Sequence, residues 1–160
     1  MSDELTPIAR ALGRIPSGLF IISSTDGDNP ALGFLGSFLA QVGFEPPTVC
    51  VAVGKDRAHL TAMRASGHFG VSIMDQKSQG LMSAFFKAPP EGKSVFDDLE
   101  TSSTPSGDPV LSGSLAWLDC KVTGEHEVGD HIVVFGTVTA AEMLREGDAS
   151  VHMRKNGLGY

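Results

Sequence analysis

The feature that most constrains this chain lies near its end, where two alternating runs meet at a tight turn. Ala116, Leu118, Cys120 and Val122 alternate with Asp119, Lys121 and Thr123, the period-two pattern of a strand with one apolar and one wet face. Gly129-Asp130 then turns the chain into residues 132–140, where Ile132, Val134, Gly136 and Val138 share a face. So short a turn between two strands makes an antiparallel pair.

The rest of the chain repeats that theme. A β-rich run at 19–23 leads through Asp26-Gly27-Asp28-Asn29-Pro30, which is turn chemistry, into a second run at 31–35, and the three together predict a hairpin. After Pro46-Pro47 the continuous apolar stretch Val49, Cys50, Val51, Ala52, Val53 predicts a strand at 48–53 buried on both faces. Another strand is expected at 68–74. Helical signals are short. Thr6 can cap a first helix with Pro7 in its opening turn and Gly13 or Pro16 at its end. Residues 56–65 form a second helix with an Asp cap and Gly67 just past it, and Leu81, Met82, Phe85 and Phe86 fall at helical spacing within 76–87. Residues 88–93 and 101–109 read as loops. Six or seven strands with two or three short helices favour a small antiparallel barrel over a doubly wound sheet, and 160 residues with no linker or repeat suit one domain over 1–160.

Charge narrows the function. Nineteen acidic residues against 12 basic ones give a net charge of -7, which argues against a nucleic-acid or anionic-membrane partner, and any anionic ligand needs a local basic cluster. Cys50 and Cys120 sit in apolar stretches and read as core thiols, consistent with a reduced, cytoplasmic setting. Residues 1–14 lack a signal-like apolar core, and no run approaches the roughly 18 apolar residues of a membrane span. There is no G-x-G-x-x-G, no P-loop, no H-E-x-x-H among His59, His68, His126, His131 and His152, and no G-x-S-x-G. Rossmann, P-loop, zinc and serine-hydrolase chemistries therefore lack support.

Three local patterns remain. Residues 33–41, Gly33-Phe34-Leu35-Gly36-Ser37-Phe38-Leu39-Ala40-Gln41, either let a ligand approach the backbone or are a strand leaving the barrel through a Gly-rich bend. Gly54-Lys55-Asp56-Arg57 is equally an anion-docking turn or a solvated loop. Gly129-Asp130-His131 is a hairpin turn that also delivers an imidazole to a strand start. The tail from Val151 to Tyr160 carries His152, Arg154 and Lys155 where small polar residues are usual.

In this order and spacing, the segments resemble the flavin reductase-like family of FMN-binding split barrels, especially the domain at the C-terminus of cyanobacterial flavodiiron proteins. The matching pieces include 11–18, Ser37-Phe38 with Phe44-Glu45-Pro46-Pro47, 53–58, 66–69, Leu81-Met82 with Phe85, Gly129-Asp130-His131 with Gly136, and 151–157. The resemblance implies a six-stranded Greek-key split barrel that dimerises, with FMN at the subunit interface. By the same resemblance, the backbone of Leu35, Gly36, Ser37, Phe38 and Leu39 lines the isoalloxazine, and Gly54, Lys55 and Arg57 hold the phosphate. His131 then lies near the flavin and nicotinamide rings, and Arg154, Lys155 and Tyr160 close over the site or cross to the partner subunit. Ser72, standing where many relatives have Asn, is also expected among the cofactor-binding residues, and Gly43 stands where they commonly have Ser, so both departures bear on a polar contact to the flavin. The implied activity is hydride transfer from NAD(P)H to FMN. With no diiron or flavodoxin-like module in the chain, the electrons go to a separate oxygenase or other acceptor. A non-catalytic FMN-binding electron-transfer or sensing module is the alternative, and an empty structural barrel a third.

Overall fold

The computed structural model describes residues 4–159. Among them the chain runs α1 (Pro7–Leu12), β1 (Phe20–Ser24), β2 (Leu32–Gly36), β3 (Leu39–Phe44), β4 (Pro47–Gly54), α2 (Ala58–Ser66), β5 (His68–Ile73), a 3-10 helix (Gln76–Phe85), β6 (Thr101–Ser103), β7 (Pro109–Leu111), β8 (Ala116–Val128) and β9 (His131–Met143). Seven strands form one antiparallel sheet in the order β2-β1-β5-β8-β9-β4-β3, and β6 and β7 form a separate ribbon, so the described residues hold nine strands against the six or seven counted from the sequence.

That order forces the sheet to curl. β2 and β3 are its opposite edges, yet only Ser37 and Phe38 separate them in the chain. A flat sheet of seven strands would hold its edges about 29 Å apart, whereas the three residue steps from Gly36 to Leu39 reach about 10 Å. The sheet therefore rolls into a barrel whose seam lies between β2 and β3. The Ala52 N–H donates to the Phe38 carbonyl at 2.9 Å and ties the crossing to β4.

The barrel encloses Ile22, Phe34, Val49, Val51, Val53, Phe69, Val71, Cys120, Ile132 and Val134, with Leu60 and Met63 of α2 packed against them. On the outer side of β1, Leu19, Ile21, Met74, Phe96 and Leu111 pack under Leu81, Met82 and Phe85 of the 3-10 helix, so β1 is buried on both faces. This outer layer does not reach β4. Accordingly β4 is buried only at Val49, Val51 and Val53, and the expectation of a strand buried on both faces is corrected.

Other expectations met the backbone differently. Asp119 belongs to the face expected to be wet but is 1% exposed: it lies opposite Gly70 of β5, on the other face from its neighbours Leu118 and Cys120, and the ribbon of β6 and β7 covers that face of Asp119. The Ser106 N–H and hydroxyl donate to its Oδ2 at 3.0 and 2.9 Å. Residues 101–109 contain the three-residue strand β6 and the start of β7, too short to leave a periodic signal. The segment 39–44 is an edge strand whose bulge at Gln41/Gly43 interrupts its alternation. α2 starts two residues late, with Arg57 rather than Asp56 at its N-cap, and Gly67 ends it in the left-handed conformation at φ 77°.

α1 follows the prediction, with the Ala9 N–H donating to Thr6 Oγ1 at 3.2 Å and Gly13 capping its end. The tail docks along this helix. Ser17 and His152 exchange backbone hydrogen bonds of 3.0 and 2.7 Å, the Gly157 N–H donates to the Ala9 carbonyl at 2.8 Å, and Arg14 Nη2 donates to the Arg154 carbonyl at 2.8 Å. Contact is so close that a Cβ on Gly157 would lie 2.2 Å from the Leu12 Cβ. Tyr160 lies outside the described residues.

Candidate functional site

The seam gathers most of the predicted site residues. Leu35 and Gly36 end β2, Ser37 and Phe38 make the crossing, and Leu39 opens β3. Across the β4–β9 pairing, Gly54 sits opposite His131, so the end of β4 and the imidazole share one edge of the barrel. The Phe38 and His131 rings meet edge to face, centroids 5.7 Å apart, and the Arg154 guanidinium lies 4.8 Å from the Phe38 ring centroid. Arg154 also lines a cavity of about 400 Å³ between Leu19, Leu35, Gly36 and Ser37 on one side and the tail residues His152, Met153 and Lys155 on the other.

The turn after β4 supplies the cations. The Lys55 N–H donates to the Asp130 carbonyl at 3.1 Å, while its ammonium pairs with Glu127 on β8. Arg57 folds back over Gly54, with its guanidinium 5.5 Å from the centroid of the Phe34 ring, which in turn packs edge-on against His59 at 4.8 Å. His131 Nδ1 lies 2.7 Å from Asp130 Oδ1. Hydrogen bonding from His131 holds the Asp130 carboxyl below its usual range, the Lys55 hydrogen bond does the same for Glu127, and burial lowers the His59 imidazole.

Residues 12–157 match the family model described as the flavin reductase like domain. The chain belongs to that family. It is 36% identical to diflavin flavoprotein A 1 of Synechocystis over 155 residues, which is 96% of this chain but 27% of the relative, and 34% identical to putative diflavin flavoprotein A 6 of Nostoc, covering 99% of this chain and 28% of that protein. The chain thus spans about a quarter of the length of these curated relatives. The crystal structure of nitrilotriacetate monooxygenase component B from Mycobacterium thermoresistibile superposes with a TM-score of 0.82 at 31% identity, over 91% of this chain and 80% of that one. The NADH:FAD oxidoreductase of Streptomyces globisporus C-1027 shares the fold, with a TM-score of 0.85 at 24% identity over 97% and 95% of the two chains.

Within this flavin reductase like domain, one predicted residue is placed elsewhere. Ser72 of β5 pairs with Ile21 of β1 and is 1% exposed, and its hydroxyl accepts the Leu111 N–H at 3.0 Å. It lies beneath β7, spent on a structural hydrogen bond. Gly43 sits opposite Thr48 on the exposed edge strand β3, away from the Phe38–His131 contact. Conversely, the sequence reading missed Glu127, whose polar, exposed stretch of β8 carries no local signal, and Leu19, which the β1 hairpin hides as an ordinary core residue. Among the described residues no helix is long and apolar enough to cross a membrane.

Proposed function

We propose that the chain is an NAD(P)H-dependent flavin reductase that binds FMN at the barrel seam, acts as a homodimer and passes electrons to a separate oxygenase or other acceptor. The observation that carries this reading is the convergence, in a flavin reductase like domain, of Phe38, His131 and Arg154 with the Lys55–Arg57 turn at one seam. Bound FMN supplies the ring system that accepts a hydride from NAD(P)H and yields the electrons onward. The protein's part is to bind, orient and exclude water.

In that role the backbone of Leu35 to Leu39, freed of a side chain at Gly36, would hold the flavin ring, with Phe38 beside it. Arg154 and His131, both in contact with Phe38, place positive or hydrogen-bonding groups where charge gathers on a reduced flavin. Beside Gly54, the side chains of Lys55 and Arg57 offer two cations to the phosphate, local positive charge of the kind an acidic chain needs, while their backbone N–H groups are engaged by the Asp130 and Gly54 carbonyls. Ser72 is left out of this set because its hydroxyl is buried and engaged.

Dimerisation is supported by β3, an unpaired sheet edge bearing exposed Val42 and Phe44, the latter 88% exposed. The relative described as a monooxygenase component B supports an oxygenase as the acceptor. Two free cysteines fit a cytoplasmic setting. The test is steady-state oxidation of NADH and NADPH with added FMN, alongside light scattering. Turnover that rises with FMN and a dimeric mass are expected. FMN binding without turnover by either nucleotide makes the chain a flavin carrier instead, and a monomer that binds FMN refutes the interface.

A further inference from the structure

The phosphate end of the proposed site already holds an anion. Pairing across three strands sets this up: Gly54 of β4 lies opposite His131 of β9, which lies opposite Val128 of β8, so Lys55 and Glu127 flank that row and meet. Lys55 is therefore paired with the Glu127 carboxylate, while the Asp130 carboxylate pairs with His131 and Arg57 lies over the Phe34 ring. A phosphate dianion approaching this turn meets a Lys55 ammonium that Glu127 already neutralises.

The ion pair is not needed to hold the hairpin. β8 and β9 pair from Val128↔His131 to Ala116↔Met143, and the Lys55 and Glu127 side chains are 36% and 70% exposed. Pairs so exposed contribute little to stability, and Glu127 is free to swing into solvent. Its carboxyl is held below the usual range by Lys55, so it is an anion at neutral pH.

We propose that Glu127 is a tethered competitor for the flavin phosphate at Lys55, and so sets how strongly the site prefers a phosphorylated flavin over riboflavin. This rests on the flavin reading above. Binding exchanges one carboxylate on the ammonium for a phosphate oxygen, with Glu127 turning outward. No other contact to the flavin changes, so riboflavin, which lacks the phosphate, does not feel the competition.

Glu127→Gln keeps the shape and removes the charge. Dissociation constants for FMN and riboflavin, read by fluorescence quenching, are expected to show FMN binding about two- to fivefold tighter in the variant, the range an exposed ion pair supports, with riboflavin unchanged. The gain should disappear in a Lys55→Ala background. An FMN affinity that is unchanged or weaker in Glu127→Gln, or a gain shared equally by riboflavin, overturns the proposal. Lys55→Ala alone separates the two possible failures. If it weakens FMN while Glu127→Gln does nothing, the phosphate site stands and the competitor falls. If it leaves FMN unchanged, the phosphate is held elsewhere and both fall. Thermal melts of all three variants confirm that the comparison is between folded proteins.

Discussion

Gly157→Ala should detach the tail and, through it, weaken flavin binding. A Cβ at this position would lie 2.2 Å from the Leu12 Cβ, 2.6 Å from the Gly13 nitrogen and 2.8 Å from the Ala9 carbonyl oxygen. The last two atoms are bonded to each other in the end of α1, at 3.1 Å, and cannot retreat, so the tail must move by about 1 Å or more. That breaks the 2.8 Å bond from the Gly157 N–H to Ala9 and strains the Arg14 bond to the Arg154 carbonyl three residues earlier. A neutral hydrogen bond is worth about 1 kcal/mol and one to a charged group about 1.5–3 kcal/mol, so local docking should lose about 3 kcal/mol. Hydrogen exchange should then show protection of the tail amides falling on the order of a hundredfold, while the barrel amides keep theirs, since the atoms the new Cβ meets most closely belong to α1 and its cap. With Arg154 no longer held over Phe38, the FMN dissociation constant should rise about tenfold. Unchanged tail protection would refute the docking. A loosened tail with unchanged FMN affinity would remove Arg154 from the site.

Two further outcomes follow from groups outside the site. Asp75 accepts from Arg145 Nε and Nη2 at 2.9 and 2.6 Å and caps the 3-10 helix through Ser78, and the Arg145 guanidinium holds its carboxyl well below the carboxylate range. A depressed carboxylate stabilises above its unfolded pKa and loses that contribution as pH falls, so Asp75→Asn should cost about 2–4 kcal/mol in denaturant melts at pH 7 and progressively less below about pH 4; a penalty independent of pH would contradict the ion-pair account. Cys120 is fully buried and its thiol is pushed up to about 12 by burial, whereas Cys50 is half-buried, so a thiol reagent at pH 8 should label at most one cysteine until the protein is unfolded; rapid labelling of both in the native state would show the barrel to be open.

The parts of the fold that were legible in the sequence are those in which local chemistry and tertiary packing demand the same thing. The Thr6-Pro7 start of α1, the left-handed Gly67 and the Gly129-Asp130 turn each state a backbone geometry that only a few residue types adopt. Val49, Val51 and Val53 face the core, but the apolar Cys50 and Ala52 between them do not record whether a second layer covers them, because that layer comes from residues 76–99, far along the chain. Asp119 is the sharper case. Its face is covered by the β6–β7 ribbon, and its partner Ser106 lies between two three-residue strands, so the cause of its burial leaves no mark at position 119.

The same distinction runs through the site. Phe38, His131, Lys55, Arg57 and Arg154 stand out because each is an unusual residue for its place: an aromatic in a Gly-rich bend, an imidazole after a turn, cations at a strand end and on a tail. What the sequence does not carry is the pairing that joins them. Residues 38 and 131, or 55 and 127, become neighbours only because the seven strands close with β2 and β3 at the seam and β4 beside β9. Glu127 reads as one more polar residue on a wet strand until that closure sets it against Lys55. The residues of a site on a rolled sheet can thus be found one at a time by their chemistry, but the groups that oppose or moderate them are delivered by register. Charge balance at the proposed phosphate turn is therefore a property of the barrel's closure and not of the Gly54-Lys55-Asp56-Arg57 motif alone.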